Sequence, residues 1–240
     1  MTELPTGDQL QKPPNYGSLV MDELRTWDEA RRAAHYPNSV FIKIPKNAGT
    51  SVYQMLRPHG LVKLKTVRAV RLWFRNSGRV SFDHMAIGQL IELGIIKRSF
   101  VDSAFKFALC RDPYDRAVSL YRYLAGYTHL NWHVWPSFTE FLELIAAGHY
   151  ERIGPYNDRG LSQANPQVEW LRDLSPDKIY RVENIGEFVK DISERWAISP
   201  GDMPHLNRSR GSTIELDRKD RALIEQIYAD DFERFGYSKR

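Results

Sequence analysis

Ser39-Val40-Phe41-Ile42-Lys43-Ile44-Pro45-Lys46-Asn47-Ala48-Gly49-Thr50-Ser51 runs an apolar strand through a small-residue turn into the start of a helix. Ser39–Ile44 is rich in β-branched and aromatic residues, as buried strands are. Thr50–Leu56 then reads as a short helix. Such a junction can build an anion cradle. Small residues let backbone N–H groups approach, the helix N-terminus adds its dipole, and the Thr50 and Ser51 hydroxyls donate. Lys46 adds a full charge. The plain alternative is an ordinary strand-to-helix turn with a Thr or Ser cap.

The same pattern recurs outward along the chain. Arg79–Asp83 precedes a helix over Ile87–Leu93, Ala104–Cys110 precedes one over Pro113–Leu124, and Lys178–Val182 precedes one over Ile185–Trp196. Strands alternating with helices at 3–4 apolar spacing imply parallel strands joined by crossovers, hence an α/β fold with a central sheet flanked by helices. Ser137-Phe138-Thr139-Glu140 is a capping box that opens a helix over Phe138–Ala147, closed by Gly148. Asp217 caps a final helix with the stripe Leu223, Ile224, Ile227, Tyr228, Phe232 and Phe235. Residues 1–37 read as a partly ordered N-terminal extension with a helical patch near Met21–Ala34, and residues 38–240 as one domain. Gly154 to Pro166 reads as a long loop, functional or mobile.

Composition narrows the class. The chain has 240 residues, 42% hydrophobic and 27% charged, enough for a packed core. No run approaches the ~20 apolar residues of a membrane span, and Met1–Gly17 lacks the charged start and apolar centre of a secretory signal. A single cysteine, Cys110, excludes an intramolecular disulfide framework, and a cytoplasmic setting is expected. The net charge is +4, but nine of the 34 Lys and Arg residues, and none of the 30 Asp and Glu, fall between Lys43 and Phe82. An acid-free basic block implies an anionic ligand or a solvated basic face.

A second chemical stretch is Arg111-Asp112-Pro113-Tyr114-Asp115-Arg116-Ala117-Val118-Ser119-Leu120-Tyr121. Asp112 suits an N-cap and Pro113 a first helical position. Arg111 stands at a strand's carboxyl end, where α/β folds bind ligands. Ser119 shares a helix face with Asp115 and Arg116. Taken alone, a helix start with surface ion pairs explains it equally well.

Together KIPKNAGTS and CRDPYDRAVSLY resemble the 5′-phosphosulfate loop and the 3′-phosphate element of sulfotransferases that use 3′-phosphoadenosine 5′-phosphosulfate (PAPS). The likeness is to the carbohydrate branch, with its heparan 2-O-sulfotransferase-like and HNK-1-like enzymes. It continues through Asp83-His84-Met85, Tyr180–Asn184, Pro204–Ser209 and Ile227–Tyr237, and so spans roughly residues 39 to 237. The resemblance implies a P-loop-like sulfotransferase fold. It also implies that Lys46 and the backbone of Asn47, Ala48, Gly49, Thr50 and Ser51 hold the 5′-phosphosulfate, and that Arg111 and Ser119 grip the 3′-phosphate. Asn207, Arg208, Ser209, Arg210 and Gly211 would lie against the adenosine and 3′-phosphate. His84 would fall at the catalytic base. Relatives often have Gly before that His; here it is Asp83, whose side chain is expected to point away from His84 on an alternating strand.

The expected chemistry is in-line sulfuryl transfer from PAPS to an acceptor hydroxyl, on a saccharide or glycolipid, leaving 3′-phosphoadenosine 5′-phosphate (PAP). Lys46 would stabilise charge on the leaving oxygen and a neutral imidazole near its usual pKa of ~6.5 would take the proton, with no metal required. His59, His129 and His133 are competing bases, and Glu183 is a carboxylate rival. The aromatic run Tyr127–Trp135 suits sugar stacking or loop packing. Cys110 reads as a core residue. Two alternatives stand. A P-loop-like kinase would need a Gly-Lys-Ser/Thr triplet, yet Lys46 precedes Gly49 by three residues. A non-enzymatic polyanion binder would use the basic block 43–82; no nucleic-acid partner and no membrane span are expected.

Overall fold

β1 (Ser39–Ile42) is buried at every residue, the mark of a central parallel strand covered on both faces. The computed structural model describes residues 16–125, 135–150, 161–199 and 214–240. Around β1 lie β2 (Val62–Lys63), β3 (Arg79–Ser81), β4 (Phe105–Cys110) and β5 (Lys178–Arg181), in the order β2-β3-β1-β4-β5. Every pairing is parallel; β1 meets β3 from Ser39↔Arg79 and β4 from Ser39↔Phe105.

Crossovers place helices on both faces. The first helix, α1 (Tyr16–Ala33), precedes β1, and α2 (Gly49–Leu56) follows it. Next come α3 (Val67–Trp73), α4 (Ile87–Glu92) and α5 (Arg98–Ser103), then α6 (Pro113–Ala125) after β4, α7 (Phe138–Ala146), and α8 (Ile185–Trp196) after β5. Side chains alternate along β1. Val40 and Ile42 therefore pack with Ala30 and Ala33 of α1, Val70 of α3 and Phe100 of α5, while Phe41 packs with Phe107, Met55 of α2 and Phe188 of α8. A third apolar group joins α6 and α7 to the C-terminal helices α9 (Arg218–Ile227) and α10 (Ala229–Phe235).

The predicted capping box forms at Ser137–Glu140, and the predicted Asp217 cap proves to be a capping box as well, with Asp220. Three expectations differ in extent. The first strand ends at Ile42 rather than Ile44, because the Lys43 carbonyl lies 3.1 Å from Nδ1 of His84 instead of in the ladder. The second ends at Ser81 rather than Asp83: the Phe82 carbonyl accepts from Met85 N, and Asp83 takes a left-handed φ of 50°. The C-terminal stripe is two helices, broken at buried Tyr228.

The chain leaves β1 toward β2 and β3 but leaves β4 toward β5, on the opposite side of the sheet. A crevice therefore opens at the carboxyl ends of adjacent β1 and β4, the place where such sheets bind ligands.

Candidate active site

The segment after β1 is a left-handed nest. Lys46 has φ 68° and Ala48 φ 58°, both positive without being glycine. Each such conformation costs about 1–2 kcal/mol, so surrounding structure must enforce it. Alternation of this kind turns successive N–H groups toward one point, where an anion fits. Ala48 caps α2 with no side-chain hydrogen bond, which leaves first-turn N–H groups to a ligand.

Asn47 is only 1% exposed, and its side chain turns inward. Its Nδ2 donates to the Leu109 carbonyl at 2.7 Å and to Oε1 of Gln167 at 2.6 Å. Fully buried Gln167 also holds the other motif: Oε1 accepts from Arg111 N and Nε2 donates to the Arg111 carbonyl, each at 2.9 Å. Beneath the nest lies Arg116, wholly buried, donating to the carbonyls of Pro45, Gln163 and Asn165. Its charge reinforces the anion preference of the turn above.

Lys46 holds its ammonium 3.7 Å from the centre of the Tyr123 ring. Burial, then the charges of Arg111 and Arg116, push its pKa down to about 8. Arg111 Nη1 reaches the Lys46 carbonyl at 3.4 Å. Asp112 caps α6 by accepting from Tyr114 N at 2.9 Å. Glu183 Oε1 accepts from Asp112 N at 2.7 Å and Oε2 accepts from the Tyr237 hydroxyl at 2.9 Å.

His84 is 9% exposed, edge-on to Trp170 with ring centres 5.6 Å apart. A carbonyl can only accept, so the 3.1 Å contact with Lys43 O places the proton on Nδ1. Nε2 is then the basic nitrogen. Burial first, then the Lys43 charge, lowers the pKa to about 4, well below the ordinary imidazole value expected from sequence. Asp83 does not point away, as strand alternation predicts. The strand has already ended, and its left-handed backbone swings Oδ1 to 2.5 Å from Lys43 Nζ and 3.7 Å from His84 Nε2. Lys43 reaches it by lying across Gly49, where an added Cβ would sit 2.7 Å from Lys43 Cγ.

One cleft of about 770 Å³ brings Lys46, Thr50, Ser51, His84, Arg111 and Ser119 together, with the Ala48–Gly49 backbone in its wall. An adjoining cavity of about 460 Å³ shares Arg111 and Ser119 and adds Arg122, Arg221 and Arg240. His59 lines neither. Asn207–Gly211, His129, His133, most of the aromatic run and residues 154–160 lie outside the described residues. Trp135 packs against Tyr121 and Phe141. Residues 161–166 are not a loose loop, since Ser162 and Ala164 are fully buried. Sequence reasoning misses Lys43, Arg116, Tyr123 and Gln167 as site builders. The acid-free charge block includes Lys43, and Arg116 stands in the second motif, where the sequence suggests a surface ion pair; the structure instead buries it completely among backbone carbonyls.

The Sulfotransferase family model matches residues 32–238 of the chain. The chain belongs to the sulfotransferase family. Enzymes of this family transfer sulfate and generally use PAPS as donor. A comparison with curated proteins finds no significant match. Among solved structures, the chain is similar to the crystal structure of a sulfotransferase from Alicyclobacillus acidocaldarius. Identity is 17% and the TM-score 0.47, covering 82% of this chain and 93% of that one. Among the described residues, no helix is long and apolar enough to cross a membrane.

Proposed function

We propose that the chain is a PAPS-dependent sulfotransferase that sulfates a hydroxyl of a saccharide or glycolipid in the cytoplasm. The carrying observation is the convergence of a left-handed nest, a lysine, an arginine and a buried neutral imidazole on one cleft. The acceptor class rests on the resemblance to the carbohydrate branch.

The residues present fit the donor. The nest and uncapped α2 N-terminus suit a phosphosulfate, the cleft volume falls in the range of nucleotide-sized ligands, and Arg111 with Ser119 suits a second phosphate. When bound, PAPS supplies the sulfuryl group. The N–H groups of Asn47 to Ser51 orient the 5′ end, and Lys46 neutralises charge there, where a low-dielectric setting strengthens its effect. Arg111 and Ser119 fix the 3′-phosphate, with Asn207–Gly211 as further contacts. His84 takes the acceptor proton at Nε2, its ring held by the Lys43 carbonyl. Glu183 is a poorer base, because both its oxygens already accept hydrogen bonds.

The test is transfer of labelled sulfate from PAPS onto a panel of glycans, glycolipids and phenols. Labelled glycan or glycolipid with matching release of PAP supports the reading. Labelling confined to phenols contradicts the acceptor class, and no consumption of PAPS with any acceptor contradicts the reaction.

A further inference from the structure

One oxygen of Asp83 faces two groups at once. Oδ1 lies 2.5 Å from Lys43 Nζ and 3.7 Å from His84 Nε2, with the ammonium on one flank and the proposed base on the other. The side chains of Lys43 and Asp83 are only 13% and 21% exposed, so water screens their charges little. Lys43 also reaches the far end of the ring, since its carbonyl lies 3.1 Å from Nδ1. A single residue thus holds both the imidazole and its carboxylate neighbour.

The 3.7 Å contact does nothing for the resting ring. With the proton on Nδ1, Nε2 presents a lone pair, which a carboxylate repels. Once Nε2 carries a proton, the same two groups form an ion pair within reach of a charge-assisted hydrogen bond. An interaction that is unfavourable before proton transfer and favourable during it lowers the barrier. The ring needs that help. Burial and the Lys43 charge bring its pKa down to about 4, which leaves it a weak base by itself.

The backbone is bent to put the carboxylate there. Asp83 has φ 50°, a left-handed conformation that glycine would take more freely. Burial pushes its carboxyl up, but Lys43, His84 and Lys63 together hold it below its ordinary value, so it stays ionised. Lys63, at the end of β2, is the other cation whose charge reaches this pair. Asp173 lines the small cavity behind Asp83 and His84, and its Oδ2 accepts from Gly88 N at 3.0 Å. Trp170 covers the remaining side of the ring.

We propose that Asp83 is a positioning residue for sulfuryl transfer: it receives the charge that forms on His84 as the acceptor proton reaches Nε2, and Lys43 holds it in place for that moment. The acceptor oxygen bonds to sulfur while its proton passes to Nε2, and the bond from sulfur to the leaving phosphate oxygen breaks. The proton ends on Nε2 beside Oδ1, and Asp83 itself stays ionised. The inference rests on the reading of His84 as the base.

Asp83→Asn removes the charge, keeps an oxygen for Lys43 and tolerates the left-handed backbone. In an NMR titration assigned with His84→Asn, the His84 ring should titrate at lower pH in Asp83→Asn and at higher pH in Lys43→Met. Near neutral pH the ring is neutral in wild type and in Asp83→Asn alike. There kcat, measured with PAPS and the acceptor that wild type labels fastest, should still fall ~10–10²-fold in Asp83→Asn, the worth of a hydrogen bond to a charged group. PAP affinity should hold. Asp83→Gly, which suits the backbone, should show the same fall. Wild-type kcat in Asp83→Asn, a ring titration that moves neither down in Asp83→Asn nor up in Lys43→Met, or a loss of PAP affinity as large as the loss of kcat overturns the proposal. Failure of the readings beneath it looks different: wild type consumes no PAPS with any acceptor, or His84→Asn keeps its turnover.

Discussion

Gln167 grips the Arg111 peptide from both sides, accepting from its N–H and donating to its carbonyl, each at 2.9 Å. The same Oε1 accepts from Asn47, 2.6 Å away. One buried amide thus couples the loop after β1 to the loop after β4, and the spacing between the two proposed phosphate sites depends on it. Gln167→Leu should leave buried polar groups of both loops unpaired. It should cost at least ~2 kcal/mol in urea denaturation and weaken PAP binding. Wild-type stability in this variant would show that the clamp is dispensable.

Gly49→Ala tests the route by which Lys43 reaches Asp83. The new Cβ would strike the Lys43 stem rather than its tip, so the ammonium must leave Asp83. Turnover should fall more than PAP affinity, because the His84 surroundings change. A loss confined to PAP affinity would place the effect in the nest alone.

His84 should remain neutral far below ordinary imidazole values. Activity should hold to about pH 5, with an acidic limb near 4, since burial and Lys43 lower the pKa to about 4. The stability consequence has a definite sign. The folded value lies below the unfolded 6.5, so the unfolded chain binds the proton first; the contribution is complete above pH 6.5 and lost between 6.5 and about 4. His84→Asn should lower kcat by ~10²–10⁴-fold and remove the limb. Near-normal turnover in His84→Asn, or loss of the limb in Glu183→Gln, would reassign the base.

Lys46, with its pKa lowered to about 8, is partly neutral in the free protein above that pH. A bound anion favours the charged form, so PAP binding near pH 8 should take up a proton, and affinity should decline as pH rises beyond it. Calorimetry in buffers of different ionisation heat measures the uptake, which Lys46→Met should abolish. Uptake that persists in Lys46→Met would place the proton elsewhere.

The sheet is legible in the chain because its central strands are apolar runs that meet helices directly. β2 is not, because two residues carry no period, and α3 and α5 are single short helices of 7 and 6 residues. Within the site, Lys46, Arg111, Ser119 and His84 are legible from motif and position. The orientation of Asp83 is not, because alternation stops where the strand stops. Gln167 is silent in sequence, and Arg116 reads there only as a helix-surface ion-pair residue: their roles consist of contacts to residues 47–120 positions away along the chain, such as Asn47 for Gln167 and Gln163 for Arg116.

The central claim is that the cleft recognises a nucleotide bearing a 3′-phosphate through Arg111. Calorimetric titration of wild type and Arg111→Ala with PAP and with adenosine 5′-phosphate, which lacks only that group, tests it directly. The wild-type protein should prefer PAP, and Arg111→Ala should lose ~2–3 kcal/mol of PAP affinity while hardly changing affinity for adenosine 5′-phosphate. Equal losses for both nucleotides, or no wild-type preference for PAP, would contradict the claim.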